Sequence, residues 1–445
     1  THALGSMPLD VTVVAADGNF PQPIARIIVN KCAISGCHNA ASYKNAAGLL
    51  LDSWEHMLNG SANGAAVIAY SPKYSPLLYF VNTDPALGTT ATPTMPQSTT
   101  TYPQSPLSKD EYNTLANWIA SGAPDKKGNI PFAANPDTRQ KLYLTNQGCD
   151  LVAVIDAQSR LVMRYIPVGT NAGQTESPHD IKVDRDGRYA YLSLYGGTYV
   201  QQIDTRTDTV VASANLASSA LGGTGQWNIL YLSPVSSSLM VSGLVANGYV
   251  VNVNTATMQV NPLLTVDINT GGTDVFRNPH GLGSNATFDT FYTTLQYGNV
   301  VTKYWFTGGV LHYKYVSING RPPVPTITAT GSNPDPHQLT MAPGYDRYFV
   351  TCQSTNEVCI MDALTDAVLD SIPVGTYPQE MTLAPSKNYL FVTCTEDASN
   401  PLPGRSGSVY VIDYTPPAHI VKVLYGDFYQ PHGVAVDEQN GLIYI

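Results

Sequence analysis

The feature that most constrains this chain is a repeat. A short apolar run ending in an acid or amide recurs through its C-terminal two thirds. It reads Val152-Ala153-Val154-Ile155-Asp156, Val200-Gln201-Gln202-Ile203-Asp204, Val250-Val251-Asn252-Val253-Asn254, Val358-Cys359-Ile360-Met361-Asp362 and Val409-Tyr410-Val411-Ile412-Asp413. The copies stand 48, 50, 108 and 51 residues apart, so the third interval spans two units. Ile166-Pro167-Val168-Gly169 returns as Ile372-Pro373-Val374-Gly375, 206 residues later, which is four units. A unit of this length, with alternating apolar runs parted by turn residues, holds about four strands. One small twisted sheet cannot bury both faces, so the units must stack around an axis as propeller blades. The acids that close the runs are turn formers, not a catalytic carboxylate pair.

Units fall near 140–169, 178–216, 226–268, 279–318, 336–375, 378–425 and from 431 onward. The expectation is an all-β, seven-bladed propeller over 140–445, with its last blade incomplete. The first unit lacks an inner strand, and Leu442-Ile443-Tyr444-Ile445 stops within one. A ring left open exposes sheet edges, so the natural chain is expected to continue past Ile445 by on the order of 20–40 residues. Leu142-Tyr143-Leu144-Thr145-Asn146 followed by Val152 to Asp156 resembles the YVTN-type propeller repeat. Tyr348-Phe349-Val350-Thr351 and Leu390-Phe391-Val392-Thr393 look like further copies. That resemblance implies a fold and says little about activity. Cys352 and Cys359 flank a predicted hairpin turn at Thr355-Asn356. They would then face each other directly, as a disulfide or as buried thiols.

The units open on a second recurrence: Pro178-His179-Asp180, Pro279-His280-Gly281, Pro336-His337-Gln338 and Pro431-His432-Gly433. Gly225-Gln226-Trp227 and Pro378-Gln379-Glu380 deviate. Equivalent positions on radial blades converge on one mouth, so four imidazoles with Gln226 and Gln379 should ring it. Imidazole is the commonest transition-metal ligand, which makes His179, His280, His337 and His432 a candidate metal or anion site. The competing reading is favoured: each His closes its inter-blade turn, and ligands one blade apart stand too far from one another for one ion. His312 and His419 read as ordinary strand or surface residues.

Before residue 125 the texture is different. Lys31-Cys32-Ala33-Ile34-Ser35-Gly36-Cys37-His38 places two thiols just before an imidazole. Thiols can add to the vinyl groups of a porphyrin while the adjacent imidazole takes the iron. Four residues separate the thiols where C-x-x-C-H has two; a disulfide or a zinc half-site is the plainer alternative. The motif is followed by Gly48-Leu49-Leu50-Leu51-Asp52-Ser53-Trp54, a Gly-rich turn at 59–64 and Ser75-Pro76-Leu77-Leu78. Then come Thr94-Met95-Pro96-Gln97, Leu107-Ser108-Lys109-Asp110-Glu111 and Trp118-Ile119-Ala120-Ser121-Gly122-Ala123. In that order the stretches resemble the planctomycete-type cytochrome c domain, over about residues 20–124. The thiol spacing and MPQ in place of MPP depart from it. The resemblance implies an all-α domain over 21–124 and one covalent haem c on Cys32 and Cys37. It also implies His38 and Met95 as iron ligands, with His56 the rival to Met95. Ser108 to Glu111 reads as a capping box opening a helix that Gly122 stops.

The resulting division is an N-terminal extension (1–20), a cytochrome domain (21–124), a linker (125–139) and the propeller. Net charge is −10 with no basic block, which argues against nucleic acid. Charged residues are only 13% of the chain, as suits an all-β extracytoplasmic protein. No run is long and apolar enough to span a membrane. Covalent haem attachment in bacteria takes place outside the cytoplasm, so a periplasmic or cell-surface location is expected. No hydrolase, zinc-protease or phosphate-loop motif appears. The expected function is electron transfer to a redox partner protein, with the propeller docking a partner or supporting self-assembly. Two alternatives are an oxidoreductase with a substrate or metal at the propeller mouth, and a surface or structural assembly protein.

Overall fold

The computed structural model describes residues 17–98, 100–101, 103–133, 137–217, 226–244, 248–266, 276–325 and 333–445. Most of the N-terminal extension and Gly225 lie outside them. The chain divides into two compact units, Thr1–Leu144 with Val152–Ile166, and Thr145–Leu151 with Pro167–Ile445.

The first unit opens on four short helices: α1 (Gln22–Ile27), α2 (Trp54–Leu58), α3 (Pro76–Val81) and α4 (Lys109–Ala120). Prolines in the first turn of α1 and α3 cost nothing, because their missing N–H has no intrahelical partner there. α4 starts on the expected capping box: the Ser108 hydroxyl accepts from the Glu111 N–H and the Glu111 carboxylate accepts from the Ser108 N–H. It ends before Gly122, whose positive φ would cost any other residue strain. Leu115, Trp118 and Ile119 lie on the buried face of α4, packed with Phe20, Ile24, Ile28, Leu78 and Cys32. Two buried indole N–H groups tie the helices to the following turn: Trp54 donates to the Ala123 carbonyl and Trp118 to that of Pro124.

The first unit also holds most of a three-stranded sheet, Lys141–Asn146, Leu151–Asp156 and Val162–Pro167. The expected boundary at 140 therefore does not separate compact bodies. The reason lies in the third strand. The Tyr165 ring stands 5.2 Å from Tyr74, the Arg164 guanidinium donates to the Phe132 carbonyl, and Leu161 lies against Gly60.

The second unit carries five antiparallel four-stranded sheets. Their entry strands are Pro178–Val183, Trp227–Leu232, Pro279–Ser284, Pro336–Met341 and Thr376–Ala384. Six sheets are thus blade-sized, and the propeller is six-bladed where seven were expected. The stretch from Pro431 yields only a ribbon of two three-residue strands, Ala435–Asp437 and Leu442–Tyr444. The strand-ending acids behave as turn formers. Asp156, Asp204, Asn254, Asp362 and Asp413 each accept a backbone N–H two or three residues on. The unit that skips this signature turns instead on Gly308 and Gly309, both at positive φ. Among the described residues no helix is long and apolar enough to cross a membrane.

One hydroxyl per blade joins neighbouring blades. It sits near the end of the second strand and accepts the N–H of the third residue of its own entry motif, always 13 residues back. The pairs are Asp180 to Ser193, Ile229 to Ser242, Gly281 to Thr294, Gln338 to Thr351 and Glu380 to Thr393. The same hydroxyls donate to the carbonyl just before that position in the next unit, the second of its entry motif. Ser193 reaches Asn228, Ser242 reaches His280 at 2.8 Å, Thr294 reaches His337 at 2.7 Å, Thr351 reaches Gln379 at 2.9 Å and Thr393 reaches His432 at 2.6 Å. Thr145 donates to His179 in the same way. Adjoining entry strands run so close that a Cβ on Gly281 would lie 2.4 Å from the Leu339 nitrogen.

Thr351 is fully buried and makes both bonds. Thr351→Val should cost about 2–4 kcal/mol, since it orphans a buried N–H and a buried C=O. Thr351→Val combined with Ser242→Ala, two blades away, should lose close to the summed amounts, as expected for separated sites. Chemical denaturation of the three variants checks both expectations.

Candidate functional site

In the first unit the thiol–imidazole loop leaves α1 through a wide turn over Ile28–Cys32. It closes on itself, with the His38 N–H bonded to the Cys32 carbonyl at 3.1 Å. Lys31 pairs with Glu111 at 2.6 Å, which ties the loop to the start of α4. The His38 Nδ1 lies 2.9 Å from the Leu49 carbonyl. A carbonyl there makes Nδ1 the protonated nitrogen and leaves Nε2 as the free lone pair. Both thiols are unbonded; Cys32 is buried and Cys37 half-buried. Burial pushes the Cys32 thiol up to about 12, with Cys37 adding to the shift. Met95 packs on the apolar cluster that contains Cys32, and its N–H donates to the Phe80 carbonyl at 2.7 Å. His56 is exposed and bonded to Asp52 at 2.6 Å. The donor set of two thiols, one imidazole with a free Nε2 and one thioether on the same core fits a covalently held haem.

The second unit brings all four entry histidines together. Ring centroids lie 3.7 Å apart for His280 and His337, 5.9 Å for His179 and His432, 6.2 Å for His337 and His432, and 6.5 Å for His179 and His280. Several of these pairs come from sheets that are not neighbours, so the rings meet near the axis. The expected wide spacing between blades does not hold for the side chains. Every entry strand carries a register shift just after its entry motif, at Pro178/Ile181, Trp227/Leu230, Pro279/Leu282, Pro336/Leu339 and Pro378/Met381. Such a bulge re-aims one side chain out of the pleat.

Two further assignments change. Asn228, not Gln226, occupies the equivalent position in its blade, because Ser193 holds the Asn228 carbonyl. Trp227 takes the place that proline holds in the other copies, and Gln226 is exposed. The signal was a Ser or Thr 14 residues after each entry position, at 193, 242, 294, 351 and 393. The second assignment adds Glu380, which follows Gln379 and points at the histidines. Its Oε1 is 3.9 Å from the His337 Nδ1. Single ligand atoms of His337, Glu380 and His432 all lie within 4.8 Å of one another.

His280 and His337 are 2% and 5% exposed, and His432 is exposed. The Nδ1 atoms of both buried rings and Glu380 Oε1 have no partner of hydrogen-bond geometry, although backbone of the following blade lies near each ring. Burial, then the neighbouring imidazoles, hold His280 and His337 well below the usual histidine range. Burial and the nearby His432 push His179 down to about 4. Burial, reinforced by Asp180, pushes Glu380 up to about 8. Lys182 is paired with Asp180 at 2.8 Å, and Gln147 is hydrogen-bonded to the His179 ring. His312 stacks on Trp305, its partner across the strand pair, and His419 is an exposed strand residue, as expected of both.

The remaining cysteines are unbonded. Cys352 pairs in register with Glu357, so it meets Cys359 diagonally at 3.6 Å and not directly across the hairpin. The turn runs over four residues, not the two expected.

No family model matches the chain, and no curated protein matches it. Among solved structures the chain is similar to hydrazine synthase of Kuenenia stuttgartiensis, at 17% identity and a TM-score of 0.46, over 57% of this chain and 76% of that one. It is also similar to a functionally unknown protein from Desulfotomaculum acetoxidans DSM 771, at 13% identity and a TM-score of 0.49, over 64% and 80%. A third likeness is to the mitotic checkpoint complex, at 12% and 0.49, over 68% and 79%. These are likenesses of fold, and no activity is inferred from them.

Of the four cysteines beyond the loop, only Cys149 is exposed. Burial raises the Cys394 thiol to about 12 and holds Cys352 well above the usual range. Iodoacetamide on the native protein should therefore modify Cys149 first. Cys352, Cys359 and Cys394 should react at least tenfold more slowly until the chain is unfolded. Peptide mass mapping over time reads the order.

Proposed function

We propose that the chain is an extracytoplasmic monohaem c-type cytochrome that transfers electrons, with its propeller serving partner docking or assembly. The single observation that carries this reading is the His38 ring. Its Nδ1 is committed to the Leu49 carbonyl, beside two unbonded thiols on a loop closed through Cys32. That is how a protein orients an imidazole toward a metal. Cys32 and Cys37 would hold the porphyrin, and His38 and Met95 would be the iron ligands. When bound, haem supplies a one-electron couple. The residues of the chain would orient it and shield it from water on the Cys32 side. The Leu49 carbonyl orients the His38 ring, and the Phe80 carbonyl holds the Met95 backbone. A periplasmic or cell-surface location follows from covalent attachment.

A second reading, an oxidoreductase with a site on the propeller rim, is favoured by the convergence of four imidazoles and Glu380.

The purified protein should be coloured, weigh one haem more than its amino acids, and show a single c-type reduced spectrum. Met95→Ala should abolish the sulfur-to-iron band in the far red and lower the midpoint potential by on the order of 100 mV. His56→Ala should change neither. A colourless protein of unmodified mass overturns the reading, and loss of the low-spin signal on His56→Ala would replace Met95 as ligand.

A further inference from the structure

We propose that the rim of the propeller binds one divalent first-row transition-metal ion through His337, Glu380 and His432, with His179 and His280 as the further nitrogen donors beside it. The proposal stands apart from the haem reading and uses none of its residues.

Nitrogen and carboxylate ligands sit about 2.0–2.2 Å from such an ion. Two ligands are then about 3.4 Å apart at tetrahedral angles and about 4.2 Å apart when opposite. The His337–Glu380 separation of 3.9 Å lies inside that range, and the whole triad lies within 4.8 Å. Side-chain rotations of a fraction of an ångström close the remainder.

His280 and His337 are buried, yet a ring nitrogen of each and one Glu380 oxygen have no partner. Buried polar atoms left unpaired cost free energy, and a metal ion is one way to satisfy several at once.

Closing the turn between blades does not by itself call for histidine, although backbone of the following blade lies near the His280 and His337 rings. A Ser or Thr hydroxyl takes the entry carbonyl. Asn228 and Gln379 are held in the same way as His280 and His337. The fold accepts an amide at this position, so it does not require the imidazole. A mix of imidazoles and one carboxylate suits the zinc, copper or iron class and not calcium or magnesium. Lys182 does not oppose a cation here, because Asp180 holds it at 2.8 Å.

The test uses the full-length, tag-free protein after dialysis against a chelator, titrated calorimetrically with Zn²⁺ and followed by Co²⁺ absorption. One Zn²⁺ should bind per chain beyond any haem iron. Glu380→Gln and His432→Ala should each weaken binding at least tenfold, and His419→Ala and Cys359→Ser should leave it unchanged. His432 is exposed, so His432→Ala tests the site without threatening the core, and circular dichroism confirms the fold of each variant. The proposal is overturned if the wild type takes up no Zn²⁺. It is equally overturned if Glu380→Gln and His432→Ala bind as tightly as wild type, or if Cys359→Ser abolishes binding.

Discussion

The propeller depends on one small group used twice. In five blades a Ser or Thr hydroxyl accepts a backbone N–H from its own entry strand and donates to an entry carbonyl of the next. A hydroxyl is suited to this because it is donor and acceptor at one atom. An amide would need more room, and an apolar residue would strand two backbone groups in a region without access to water. Stacking of apolar faces drives blades together, but it tolerates sliding. The double hydrogen bond sets a register, since it is made only when one strand end meets one bulge. The five copies with identical 13-residue spacing are five instances of one local solution.

The register has a consequence at the axis. The clasp holds the carbonyl of the entry residue, and the bulge that follows turns its side chain inward. Whatever residue occupies that position is delivered to the rim. Four of the six held positions in the series are histidine and two are amides. The neighbouring bulge residue is variable as well: glycine at 281, where the next strand leaves no room, and the inward carboxylate at 380. The backbone device is constant and the chemistry it presents is interchangeable, which is how one scaffold can carry unrelated sites.

Much of this was legible in the residues. The acid-ended strands announced the blade period because Asx turns are local, and local chemistry survives in sequence. The capping box at Ser108 was readable for the same reason. The threonines of Tyr348-Phe349-Val350-Thr351 and Leu390-Phe391-Val392-Thr393 were visible as a motif, but their partners were not. The carbonyl each one holds belongs to another blade, 28 or 39 residues away. That long-range step also hid Asn228: aligning on Pro-His made Gln226 the equivalent, where aligning on the serine 14 residues on would have found it. Blade number failed for another reason. A seventh entry motif is present at Pro431-His432, but the residues that follow form a ribbon and not a sheet. The grouping of the first sheet with the helical segment was not legible, since Tyr74–Tyr165 and Arg164–Phe132 are contacts that no periodicity encodes.

The rim is also an expensive choice. Imidazole nitrogens and a carboxylate oxygen without partners each cost on the order of 1–3 kcal/mol when buried. Apolar side chains of similar volume would make a more stable plug. The interactions that order the rim do not need these groups, because the clasp acts on backbone and works equally with Asn228. The blades also pack through apolar clusters such as Tyr292, Val301, Leu339 and Tyr348. Stability is thus supplied by one set of residues and given up by another, within the same strands. Ring closure gives the second set no role, and the proposed metal site gives it one.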